Sequence, residues 1–96
     1  MTSQKPLVMV VDDDIRMLRM MKRTLEMEGL MVLTAGGGEA ALKTFEKEAP
    51  DLVLLDIMMP DIDGYVVCRH IRDFSQTPII MVSARDDDQE KVAGLD

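Results

Sequence analysis

Two all-apolar runs that stop on carboxylates constrain this chain more than any other feature. Leu7-Val8-Met9-Val10-Val11 ends on Asp12-Asp13-Asp14, and Leu52-Val53-Leu54-Leu55, bounded by Pro50 and Pro60, ends on Asp56. Runs this short, apolar at every position, predict strands buried on both faces, as in a parallel sheet covered by helices. Ligands bind at the carboxyl ends of such strands, because the loops there fan out over a crevice. Side by side, the two strands would bring several carboxylates within a few ångströms. Like charges that close repel, so the cluster persists only with a cation or a shared proton. Oxygen donors without a nearby His or Cys point to a hard divalent ion, Mg²⁺, which takes few protein ligands and keeps several waters. One acid, Asp14 or Asp13, is expected to cap the following helix; capping needs a single Asp and leaves Asp12 and Asp56 unexplained.

Strand and helix alternate along the rest of the chain. Ile15, Leu18, Met21, Lys22 and Leu25 recur at helical spacing, with Arg16, Arg19 and Arg23 mostly on the other side, and Gly29 fits the position just past the helix end. Leu30 to Thr34 reads as a weaker strand near the sheet edge. Ala35-Gly36-Gly37-Gly38 reads as a permissive turn, since the Lys-Ser/Thr of a phosphate-binding loop does not follow it. A second helix is expected from Glu39 to Glu48, with Ala40, Ala41, Leu42 and Phe45 on its apolar side. A third runs from about Gly64 to Asp73, with Tyr65, Val66, Cys68 and Ile71 inward and Arg69, His70, Arg72 and Asp73 solvated. Thr77-Pro78-Ile79-Ile80-Met81-Val82-Ser83-Ala84 gives a fourth buried strand, which delivers a hydroxyl to the same edge. Asp86-Asp87-Asp88 then caps a helix from Gln89 to Leu95. The alternation implies a doubly wound α/β parallel sheet with right-handed crossovers.

Composition narrows the function classes. The length, 96 residues, allows one small domain, 1–96. With 47% hydrophobic but only 3% aromatic residues, the core must be aliphatic and methionine-rich, and Met is read as adaptable core filler, with Met17, Met20, Met21 and Met27 falling in one amphipathic helix. A net charge of -7, with acids clustered at 12–14, 61–63 and 86–88, argues against direct nucleic-acid binding by this segment. The single Cys68 excludes a disulfide within the chain and fits a reducing compartment. Neither a signal-peptide pattern nor an apolar run of ~18 residues is visible, so a cytoplasmic location without membrane contact is expected.

Three signatures, in register, resemble the receiver domain of two-component response regulators: Val10-Val11-Asp12-Asp13-Asp14, Asp56-Ile57-Met58-Met59-Pro60-Asp61-Ile62-Asp63-Gly64 and Pro78-Ile79-Ile80-Met81-Val82-Ser83-Ala84. The resemblance covers the whole chain and implies the flavodoxin-like strand order 2-1-3-4. It implies that Asp56 is the phosphoacceptor, attacking the phosphorus of a sensor histidine kinase's phosphohistidine or of a small acyl phosphate. It also implies that Asp13 ligates Mg²⁺ directly, that Asp12 acts largely through water, and that the Met58 carbonyl is a further ligand. Ser83 then matches the hydroxyl that turns inward to hold the phosphoryl group. A carboxylate attacking a phosphoryl group is anion meeting anion, so a bridging cation and positioned donors supply most of the catalysis. The product adds roughly -1.5 to -2 charges, enough to pull a hydroxyl and its loop to a new position.

The family pattern also has a fifth strand, ending in a Lys-Pro pair, and a fifth helix; neither is expected within residues 1–96. The receiver is therefore read as C-terminally incomplete, with an exposed fourth strand inviting a homo-oligomer and any output domain beyond Asp96. The alternative is a phosphorylation-incompetent interaction fragment of the same shape. A phosphohydrolase turning over external substrate would want a general acid and a substrate cap, and neither is recognisable, so no enzyme is expected. Met58 and Arg85 fall where the family tunes acyl-phosphate hydrolysis. A Met at 58 cannot orient a water, so Met58→Asn is expected to shorten the lifetime of the phosphorylated form, measured by intact mass against time.

Overall fold

The computed structural model describes residues 5–57, 59 and 62–82; Met58, Ser83, Arg85, the 86–88 acidic run and the expected 89–95 helix lie outside the described residues. The elements are β1 (Leu7–Val11), α1 (Ile15–Met27), β2 (Met31–Ala35), α2 (Gly38–Glu48), β3 (Leu52–Asp56), α3 (Gly64–Arg72) and β4 (Ile79–Val82). Every pairing is parallel, and the described strands form one sheet in the order β2-β1-β3-β4. This is the flavodoxin-like order implied by the sequence. Successive strands step outward from β1 to β2, then return to its other side at β3, so the winding reverses between β1 and β3. In open α/β sheets that reversal opens the binding crevice.

Each strand supplies both faces of the sheet because side chains alternate. Met9, Val11, Val53, Leu55, Ile79 and Met81 meet Ala41 and Phe45 of α2 and Val67 and Ile71 of α3 in the larger core. Val8 and Val10 meet Leu18 of α1, with Met21, Leu25 and Leu54 packed around them. Full burial of side chains such as Met9, Leu55 and Ile71 contributes roughly 1.5–3 kcal/mol each. β4 is not buried on both faces as its all-apolar run suggested: Ile79 and Met81 are buried, whereas Ile80 and Val82 are 43% and 39% exposed. An apolar run therefore marks a strand without fixing how many faces are covered.

The helix ends explain the boundaries. Asp14 is the N-cap of α1, its Oδ1 accepting from Arg16 N at 3.0 Å and Met17 N at 3.4 Å. At the other end Gly29, with φ +90°, donates to Glu26 O while Leu30 N reaches back to Leu25 O, a Schellman closure that only a residue at ease with positive φ ends well. That closure consumes Leu30, so β2 starts one residue later than expected. α2 begins at Gly38 instead of Glu39, and Ala40 is exposed.

α3 departs most from the expected faces. Tyr65 is 49% exposed and Val67, passed over in the sequence, is fully buried. The helix starts on the Asp63 N-cap, whose Oδ1 accepts from Tyr65 N at 2.8 Å, and this phase turns Gly64, Val67 and Ile71 inward. Arg72 is half-buried, not solvated: its Nη1 donates to Thr77 O at 2.6 Å and, more weakly, to Ser75 O at 3.4 Å. Those contacts tie the end of α3 to the chain entering β4. No helix among the described residues is long and apolar enough to cross a membrane. Met9→Ala is expected to cost ~2–5 kcal/mol and Ile71→Val ~0.5–1.5 kcal/mol, read as shifts of the urea midpoint at constant slope.

Candidate functional site

The site follows from one line of register. Val11 pairs with Leu55, so the next residues, Asp12 and Asp56, emerge side by side at the carboxyl end of the sheet. The ladder continues past both strands, with Asp12 N donating to Ala35 O at 3.1 Å and Ile57 N to Val82 O at 3.2 Å. Backbone pairing on the outer sides of both strands therefore holds the two acids in place. Each is only 8% exposed, while Asp13 stands out into solvent.

One carboxylate oxygen from each of Asp12, Asp13 and Asp56 lies within 4.8 Å of the others. The Oδ1 of Asp12 accepts from Asp14 N at 2.9 Å, which orients Asp12 and bends the chain so that Asp13 turns towards the cluster as Asp14 turns away to cap α1. The run of three acids thus divides into a buried acid, an exposed acid and a helix cap. Asp12 and Asp56 also border an open pocket of about 340 Å³, lined among the described residues by Val10, Met17, Met20, Met21, Leu54 and Val82. Apolar walls screen charge poorly: two carboxylates near 4.8 Å repel by on the order of 3 kcal/mol at an effective dielectric of about 20. The donor set answers to a hard cation. Oxygens bound at ~2.1 Å to one ion lie at most ~4.2 Å apart, so small side-chain rotations would bring all three onto a single centre.

Of the sequence-derived site residues, Asp12, Asp13 and Asp56 come together. Met58 and Ser83 lie outside the described residues. What the sequence reading undervalued is Gly64, noted as the end of the second signature and the start of a helix but given no part in the site. A Cβ there would lie 2.7 Å from Ile57 Cα and 2.8 Å from Asp56 O, so the absence of a side chain lets α3 begin against the backbone of Asp56 itself. The signal available was a glycine directly after a capping Asp, eight positions beyond the acid.

The model of the response regulator receiver domain matches residues 8–96. The chain belongs to that family. Among curated relatives of this receiver domain, the protein named "Probable transcriptional regulator ycf27" of Guillardia theta is 46% identical over 92 residues, covering 96% of this chain and 36% of that protein. The alkaline phosphatase synthesis transcriptional regulatory protein PhoP of Bacillus subtilis is 42% identical over 90 residues, covering 93% of this chain and 38% of that protein. The receiver thus spans well under half the length of such relatives. Among solved structures, the BeF3-activated N-terminal receiver domain of Klebsiella pneumoniae RstA superposes with a TM-score of 0.80 at 34% identity, covering 85% of this chain and 70% of that one. The response regulator TrrA of Thermotoga maritima, solved in complex with Mg²⁺-BeF, gives 0.80 at 39% identity, covering 84% and 71%.

The divided roles of the three acids are separable. Asp14→Ala is expected to lower stability by ~1 kcal/mol while preserving the rise in melting temperature on adding Mg²⁺. Asp13→Asn should leave the fold intact and reduce that Mg²⁺-dependent rise.

Proposed function

We propose that this receiver domain accepts a phosphoryl group on Asp56 from a partner histidine kinase or a small acyl phosphate, with Mg²⁺ held by Asp12, Asp13 and Asp56. The observation that carries the reading is the clustering of these acids, two of them buried, at the point where the sheet's winding reverses. A bound divalent cation would neutralise the carboxylates and draw the phosphoryl oxygens towards them. The residues do the rest by placement. The rigid end of β3 presents the Asp56 carboxylate, and one of its oxygens forms the new bond to phosphorus as the P–N bond to the imidazole, or the P–O bond to the departing carboxylate of an acyl phosphate, breaks. Asp12, oriented by Asp14 N, holds its charge beside the nucleophile.

The Met58 carbonyl as a further ligand and Ser83 as the hydroxyl that senses the phosphoryl group belong to this proposal by family resemblance. The domain receives a signal and turns over no external substrate. Several relatives carry names of transcriptional regulators, so an output through DNA is the corresponding proposal for a protein containing this receiver. The acidic balance of the chain argues against direct DNA contact by these residues.

Incubation with Mg²⁺ and acetyl phosphate, followed by intact-mass spectrometry, is expected to show a gain of one phosphoryl group that disappears in Asp56→Asn. A folded, Mg²⁺-binding sample that gains no mass would reject phosphoacceptance for this chain.

A further inference from the structure

We propose that Gly38, on the neighbouring helix α2, is a positioning residue for the Asp56 site, acting through Ile62 on the turn that leads from Asp56 into α3. Gly38 is the buried first residue of α2. A Cβ built on it would lie 2.6 Å from Ile62 Cβ, 3.2 Å from Ile62 Cγ1 and 3.1 Å from Val67 Cγ2. Ile62 is therefore seated directly on the α2 backbone, about 0.8 Å closer than ordinary contact at 3.4 Å would allow any side chain at position 38. Gly36, two residues earlier in the same glycine run, has nothing within 4 Å of an added Cβ. The requirement is local to one position and does not come from glycine content.

The atoms Gly38 makes room for all belong to the unit that abuts the phosphoacceptor. Ile62 sits in the β3–α3 connection and Val67 in α3, both packed against the larger core. One residue after Ile62, Asp63 is committed to capping α3, and one further on, Gly64 lies so close that a Cβ on it would meet Asp56 O and Ile57 Cα. Ile57 O accepts from both Met59 N at 3.2 Å and Gly64 N at 3.3 Å, which closes the turn onto its own starting point. Two side-chain-free contacts thus act in series, Gly38 on Ile62 and Gly64 on Asp56, with a single residue between them. A methyl group at position 38 has no soft neighbour to displace. Pushing Ile62 or Val67 moves the start of α3, and the start of α3 rests on the carbonyl of Asp56. Misplacement of a reacting group by even part of an ångström is enough to lower a transfer rate severely, because the attack geometry is narrow.

The kinetic readout rests on Asp56 being the phosphoacceptor; the structural coupling does not, so both are measured. At saturating Mg²⁺ and acetyl phosphate, Gly38→Ala is expected to slow phosphorylation roughly tenfold or more. It should also move the amide resonances of Ile57, Met59 and Gly64, whereas Gly36→Ala changes neither. Adding Ile62→Gly to Gly38→Ala removes the Cβ and Cγ1 that the new methyl would meet and should restore most of the lost rate, although Ile62→Gly alone is expected to slow the reaction. That reversal of sign is not produced by two independent losses of stability. A Gly38→Ala protein whose rate stays within about twofold of wild type, with those amides unmoved, overturns the proposal. So does a loss that follows the melting temperature alone and is not relieved by Ile62→Gly. If the wild type takes up no phosphoryl group, the functional reading fails, and the Ile57, Met59 and Gly64 amides still decide the coupling. If Gly38→Ala does not fold, Ile62→Gly alone decides it: shifts of the Gly38 amide across the contact and of the Ile57 amide support the coupling, and unshifted ones reject it.

Discussion

Parallel hydrogen bonding between β1 and β3 fixes Val11 opposite Leu55, and the separation of Asp12 from Asp56 follows from it. A slip of one residue in either strand would reverse the faces of its whole apolar set, sending Met9 or Leu55 to the other core. Because helices cover both faces over β1, that slip would leave the two differently shaped cores mispacked at once. Burial thus enforces register, and register enforces the distance between two charges that repel. The apolar residues do the work of assembling the acids.

Much of this was legible in the sequence because it rests on short-range regularities. All-apolar runs of four or five residues gave β1 and β3, helical spacing gave α1 and α2, and a carboxylate directly after each run marked the reactive edge. The strand order was legible only through family resemblance, since periodicity says nothing about which strands are neighbours. Where the sequence reading failed, tertiary context decided. Residues 64–72 offered apolar side chains in more than one phase, and the Asp63 cap selected the one that buries Val67 and exposes Tyr65. Arg72 reads as a surface cation by type, yet its guanidinium finds the Thr77 carbonyl across a turn whose shape no local pattern announces. Ile80 and Val82 read as buried by type, and the alternating burial of β4 shows that hydrophobicity does not determine coverage.

The contacts at Gly38 and Gly64 belong to a third category. A glycine in a sequence signals conformational freedom, and at Gly29, with its positive φ, that is the correct explanation. At Gly38 and Gly64 the need is for space, because a neighbouring chain lies where a Cβ would be. The sequence cannot separate these two reasons, since both are written with the same letter. The distinction matters for function: a glycine kept for φ protects one turn, whereas a glycine kept for proximity couples two elements.

The opposite end of β3 carries its own acid. Leu7 N donates to Asp51 Oδ2 at 2.8 Å, and Asp51 N donates to Leu7 O at 2.7 Å, so a reciprocal bracket joins the entrances of β1 and β3. One short strand is therefore preceded by one carboxylate and ends on another, the first spent on alignment and the second standing in the acidic cluster. The chain has in effect a mechanical pole and an acidic pole, separated by the length of β3. Any other pair that fastens the same two strand entrances would serve the mechanical pole, whereas the acidic pole depends on where Asp12, Asp13 and Asp56 themselves stand.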